Sequence, residues 1–475
     1  MLFNSLAFLI FLPIVYALYW LAGRRSVWAQ NLVIIVASFV FYAWWDWRFF
    51  GLILFCCVFN YGMALALPVL NAARARRAAL IGTIIVNFGL LGFFKYFNFF
   101  ADSFATVCTA LGFPVDHLTL QIILPVGISF HTFQTMSYTI DVYRGRLKPT
   151  RDFGAMLAYV CYFPQLLAGP IERATNLLPQ FHQPRRFEYG AAVDGMRQML
   201  WGFFKKVVVA DTCASSVNVI FASYADQPAS VLLLGAVYFA FQIYGDFSGY
   251  SDIAIGCSRL FGINLMRNFA YPYFSRDIAE FWRRWHISLT TWFRDYLYYP
   301  LGGSRAGLAK SIRNTMIVFL ASGLWHGANW TFVVWGGVNA IYFLPLLLTG
   351  RNRHHLDAVA GQRLLPSWRD LLQMGSTFVL VLVSWVFFRA ESVGKACDYL
   401  WRLMDVSILQ LPSTHRNPLP AVAALLVVEW IQRHKQHGLE SPRCPSWIRW
   451  VIYWFLAMLC LACFRPASEF IYFQF

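Results

Sequence analysis

Long uncharged runs alternate with short polar stretches along this chain. Leu2 to Gly23 carries no charge, and Leu371–Phe388 and Trp450–Phe464 have the same character. About 20 apolar residues cross a ~30 Å hydrocarbon core, and the chain offers roughly ten to twelve such spans or re-entrant segments. Only helices or closed barrels satisfy the backbone in lipid, and runs of this length predict helices. Between about residues 120 and 350 the pattern changes. "PVGISFHTFQTMSYTIDVYRG" (125–145), "FPQLLAGPIER" (163–173), "YGDFSGYSDIAIG" (244–256) and "FWRRWHISLTTWFRD" (281–295) interrupt the apolar runs. Polar groups at membrane depth are costly unless they face protein or water, so this region predicts an internal cavity or tunnel.

Two elements here can be read more closely. Over 275–296, Ile278, Phe281, Trp282, Trp285, Leu289, Trp292, Phe293 and Tyr296 recur at three- and four-residue spacing, which predicts one amphipathic helix. Ser275 is its candidate N-cap, Glu280 and Arg284 have ion-pair spacing, and His286 borders the stripe. Further on, "ASGLWHGANW" (321–330) puts His326 thirteen residues beyond Arg313 of a basic loop. A continuous helix would carry it ~20 Å inward, near mid-membrane. Gly323 and Gly327 would let another backbone or a ligand approach closely.

Composition agrees with a polytopic membrane protein: 59% of 475 residues are hydrophobic, 13% are charged and mean hydropathy is +0.51. No soluble domain stands out, so residues 1–475 read as one membrane domain. Its catalytic core is expected at about 120–350, with C-terminal helices and tail at 371–475. The start lacks a basic n-region and an A-x-A site and reads as a first span, not a cleaved signal. The formal charge of +16 is first a topology signal. Basic clusters at Arg24–Arg25, 72–80, 144–152 and 351–355 belong in the cytoplasm by the positive-inside rule, which puts the N-terminus outside. Scattered over short loops, they do not suggest nucleic acid. Most of the ten cysteines lie in apolar runs, and the "CLAC" of 460–463 has no second ligand pair, so no metal is expected.

A histidine in a membrane helix can simply bond a neighbouring helix. His326, however, has a second histidine, His286, forty residues earlier in an equally unusual element. A desolvated, neutral imidazole suits a general base that takes the proton of a hydroxyl attacking a thioester. Arg276, Arg284 and Arg313 are candidates for the phosphates of a nucleotide carrier. No G-x-S-x-G, Walker, G-x-G-x-x-G or H-E-x-x-H motif competes. His354 and His355 sit in a basic loop and read as solvated.

"FWRRWHISLTTWFRDYLYYPLGGSR" followed by "GLWHGANWTFVVWGG" resembles the membrane-bound O-acyltransferase (MBOAT) family, in its bacterial polysaccharide O-acetylation branch. "PVGISFHTFQTMSYTIDVYRG", "FPQLLAGPIERATNLLPQF" and the terminal "FIYFQF" are similar to the same branch, although His131 stands where an aromatic is common. The resemblance implies an all-α ring of helices around a tunnel, with the residue at His326 catalytic and that at His286 assisting. It also implies acetyl-CoA as a cytoplasmic donor in the bacterial inner membrane, and a separate extracytoplasmic transferase that modifies the polysaccharide. Alginate is the first polymer to expect, with cellulose or peptidoglycan as alternatives. Tyr472, the only hydroxyl in the last six residues, is a candidate acyl acceptor. A packed apolar tail is the plainer reading of that segment. A transporter or a non-catalytic scaffold of an export complex are the other classes left open.

Overall fold

The computed structural model describes residues 1–23, 26–113, 120, 122–125, 127–167, 169–305, 307–412, 414–440, 445–465 and 470–471. The described residues form helices and no strands. Eight helical segments are long and apolar enough to cross a membrane: 6–23, 27–44, 47–66, 73–110, 229–260, 330–348, 368–389 and 446–463. Eight is fewer than the ten to twelve expected; Ile128–Tyr143 and Leu308–His326 are shorter or more polar helices outside that count. The chain is therefore an all-helical, multi-pass membrane protein.

It divides into two compact units, residues 1–192 with 257–265, and residues 193–256 with 266–475. In the first, the helix Ile128–Tyr143 is buried from Ile128 to Val142 although eight of those positions are Ser, His, Thr, Gln or Asp. Polar partners explain part of this. Asn60 and Asn87 exchange amide hydrogen bonds of 3.1 and 3.2 Å, and the Thr139 hydroxyl donates to Asn60 Oδ1 at 3.0 Å. Bonds of this kind tie apolar helices together where hydrophobicity alone cannot. His131 lies on the same helix, buried, with neither ring nitrogen bonded to a described residue.

In the second unit the long helix Ala229–Leu260 runs against Tyr189–Phe203 and its π-wound continuation Phe204–Ala210. A Cβ on Gly249 would stand 2.8 Å from the carbonyl oxygen of Gly202, so the glycine is what allows this approach. Two buried lysines bind carboxylates on the long helix: Lys205 pairs with Asp252 at 2.5 Å and Lys206 with Asp246 at 2.5 Å. The helices Leu308–His326 and Trp330–Leu348 form a tight antiparallel pair. A Cβ on Gly323 would meet the Phe332 carbonyl oxygen at 2.2 Å, and one on Gly336 that of Phe319 at 2.4 Å.

Candidate active site

The element expected as one helix over 275–296 is two short helices, Ile278–Arg284 and Ile287–Phe293, with His286 at the break. Asp277, not Ser275, caps the first by accepting from the Glu280 N–H. The apolar spacing continues across the break and so concealed it. What holds the break open is tertiary. The Ile287 N–H donates to Asn268 O at 2.9 Å, and the Ala270 N–H to Arg284 O at 3.0 Å, so the backbone groups freed from the helix are satisfied. His286 itself adopts φ +43° and ψ 54°, the left-handed region that a non-glycine residue rarely occupies.

His326 ends the helix Leu308–His326, which begins inside the stretch read as a basic loop, and is 4% exposed; His286 is 1% exposed. The structure brings the two rings to a centroid distance of 6.4 Å. Aromatic rings enclose them. Trp325 and Trp335 stand 5.1 Å from the His326 ring, Phe388 stands 5.3 Å from it, and Phe247 meets His286 edge-on at 4.6 Å.

One side chain fixes the protonation of His286. Its Nδ1 lies 3.1 Å from Asn268 Oδ1, which also accepts from the Ser288 N–H at 3.2 Å and the Ser288 hydroxyl at 2.9 Å. A backbone N–H can only donate, so this Asn268 atom is the oxygen, and the imidazole must present its proton on Nδ1. Neutral His286 then carries its lone pair on Nε2, where it can accept a proton. Asn268 precedes His286 by eighteen residues. Its only sequence signal was a polar residue within "MRNFAYPYF".

A cavity of about 940 Å³ lies beside this cluster, mostly apolar, with Trp282, Phe319, Thr290 and Thr291 in its wall and Arg283, Arg294 and Arg353 among its lining. Trp282 connects it to the histidines: its ring is 5.6 Å from Trp335, which in turn meets His326. The arginines singled out in the sequence have other partners. Arg276 binds Glu280 and Asp357, Arg284 binds Glu280 and Asp357 O, and Arg313 binds Asn314 and Leu301 O. Among these, the Arg284–Glu280 pair has the expected four-residue spacing, at 2.8 Å. Arg276 and Arg284, together with Arg283, which donates to Asn352 O and His355 O, clasp the 351–357 loop. Tyr472 and Arg24–Arg25 lie outside the described residues. The two residues before Tyr472 are fixed, with the Ile471 N–H on Asp246 Oδ2 at 2.6 Å and Phe470 against Phe247 and Tyr250.

Residues 150–368 match the membrane-bound O-acyltransferase family model. The chain is 40% identical to the probable alginate O-acetylase AlgI of Pseudomonas aeruginosa, over 85% of this chain and 74% of that protein. The chain belongs to the membrane-bound O-acyltransferase family. Its other relatives include the probable alginate O-acetylase AlgI of Azotobacter vinelandii, at 41% over 91% of this chain and 85% of that one. The peptidoglycan O-acetyltransferase of Helicobacter pylori is 34% identical, over 86% of this chain and 81% of that one. Within one unit the chain places two buried imidazoles, one of them oriented by Asn268, beside a cavity large enough for a sizeable ligand.

Proposed function

We propose that this acyltransferase takes acetyl groups from acetyl-CoA on the cytoplasmic side of the bacterial inner membrane and passes them outward for O-acetylation of an exopolysaccharide, with alginate the first polymer to test. The observation that carries this reading is the pairing of His326 and His286 behind the Trp282 wall of the large cavity. His326 acts as general base toward the acceptor hydroxyl, and His286, its lone pair placed on Nε2 by Asn268, assists. The donor's phosphates meet the cationic lining of the cavity at Arg283, Arg294 and Arg353, with Arg276, Arg284 and Arg313 supporting that rim through their internal bonds. No metal takes part. A separate extracytoplasmic transferase receives the acetyl group.

Tyr472 is the acyl carrier between the two. The reading is supported by the bonded neighbours Phe470 and Ile471: Phe470 packs on Phe247, the ring that meets His286. Tyr472→Phe would then abolish polymer acetylation, and normal acetylation by that variant would end the idea.

The deciding experiment measures CoA thiol released from acetyl-CoA by the purified protein in lipid, wild type beside His326→Ala. Wild type alone should be active, and the variant should lose about 10²- to 10⁴-fold, the range of a general base. Equal release by both would remove His326 from the chemistry. Acetyl content of alginate and of peptidoglycan in a deletion strain separates the two polymers.

A further inference from the structure

Attack on a thioester moves negative charge onto the carbonyl oxygen, and a site that accelerates the step directs hydrogen-bond donors at that oxygen. Neutral His286 cannot be one of them. Its single N–H is directed to Asn268 Oδ1, and its remaining nitrogen only accepts. The donors must come from elsewhere in the cluster. Several indoles there have N–H groups sealed from solvent with no acceptor among the described residues, and of these Trp282 and Trp335 link the cavity to His326. Outside the cluster Trp430 donates to Leu364 O at 2.8 Å and Trp20 to Leu260 O at 3.2 Å, whereas the Trp201 N–H is likewise sealed without an acceptor among the described residues. A buried donor left without an acceptor is rare and needs a reason. These two lie in series. Trp282 is in the cavity wall and 9% exposed, Trp335 is fully buried, and Trp335 meets His326 edge-on at 5.1 Å with an interplanar angle of 85°.

We propose that the indole N–H groups of Trp282 and Trp335 bind the thioester carbonyl oxygen in the transition state, which makes both tryptophans catalytic residues. The inference rests on the acyl-transfer reading above. An acyl group moving from the cavity toward His326 passes Trp282 and then Trp335. His326 takes the proton of the acceptor hydroxyl while the hydroxyl oxygen bonds to the carbonyl carbon. The carbonyl electron pair moves onto oxygen and is held by the two N–H groups. When that pair returns, the carbon–sulfur bond breaks and the leaving thiolate takes the proton from His326. Tryptophan fits the task because its indole donates and never accepts, so it cannot compete with His326 for the proton.

The test is thiol release from acetyl-CoA by the protein in lipid, comparing wild type with Trp282→Phe, Trp335→Phe and a variant with 3-benzothienylalanine at 335. That last residue keeps the shape of tryptophan and replaces N–H by sulfur. Loss of one such donor should lower kcat about 10²-fold or more. The fall should appear in both Trp335 variants with KM nearly unchanged, because the bond forms in the transition state. A benzothienyl variant that keeps wild-type kcat while Trp335→Phe loses it would overturn the proposal, since packing would then account for the effect. Full activity in both phenylalanine variants would overturn it as well. A wild-type protein that releases no thiol would overturn the acyl-transfer reading and this inference with it, and that failure shows before any substitution is made.

Discussion

At the residue scale, His286 is held in a strained conformation by its neighbours. A left-handed backbone costs a non-glycine residue about 1–2 kcal/mol, and it persists where surrounding bonds over-determine it. Here those bonds come from Asn268, whose carbonyl accepts from Ile287 N–H and whose side-chain oxygen accepts from both His286 and Ser288. Asn268→Leu removes the partner of Nδ1–H and leaves the ring free to change tautomer. A net hydrogen bond of about 0.5–1.5 kcal/mol corresponds to roughly a two- to thirteenfold loss of kcat. Thiol-release kinetics should show that fall with KM little changed, and an unaltered kcat would remove Asn268 as a positioning residue. His286 and His326 were legible because an imidazole is conspicuous among apolar residues. Asn268 was not, because its partner is eighteen residues away and no local pattern links them. The arginines were misleading for a similar reason: the Glu280–Arg284 spacing was visible, but Arg276 reads as an available cation until Glu280 and Asp357 are seen beside it.

At the scale of elements, a helix carrying His326 inward could be read from the sequence, whereas its start at Leu308 and the break at His286 could not. Phe281, Trp282, Trp285 and Leu289 keep helical spacing on both sides of it, and the bonds to residues 268–270 that open it are long-range. The glycine expectation has a sharp consequence. Gly323→Ala would drive a methyl group against the Phe332 carbonyl oxygen, which stands 2.2 Å from the ideal Cβ. Neither backbone can yield without separating the 308–326 and 330–348 helices, so overpacking of about 1–3 kcal/mol is expected. A lower melting midpoint in lipid and reduced activity should appear together, because His326 ends the displaced helix. The loop over 351–357 carries a different prediction. Its Asp357 carboxyl is held below the usual carboxylate range by the hydrogen bond from Arg276. A depressed carboxylate stabilises the clasp above its unfolded pKa of about 3.9 and loses that contribution only as pH falls through the folded value. Hydrogen exchange of the loop should therefore be steady from pH 8 to 5, after correction for intrinsic rates, and rise only below about pH 4. Loosening near neutral pH would show that Asp357 does not hold it.

At the scale of the whole chain, the basic segments that suggested topology are in contact within each unit. In the first, Arg76 donates to Tyr143 O, next to the 144–152 segment, and Tyr61 donates to Arg151 O. In the second, Arg433 donates to Val359 O and Gly361 O, which joins the 432–435 segment to the loop after Arg351 and Arg353. Segments that touch share one side of the membrane, so each unit collects its cationic loops at one end of its helices. By the positive-inside rule that end is expected to be cytoplasmic. On that expectation the helix Trp368–Arg389 would carry the chain across and leave the following helix Val393–Arg402 on the outer side. Cys397, the exposed cysteine of that helix, is a built-in reporter. An impermeant maleimide added to intact spheroplasts should label it and lose the signal in Cys397→Ser. In the Cys397→Ser background, His354→Cys should react only after permeabilisation. The reverse pattern would invert the chain and put the arginine-lined cavity on the outer face, where no CoA thioester is available. Acetyl-CoA would then be excluded as the direct donor even if His326 remained essential.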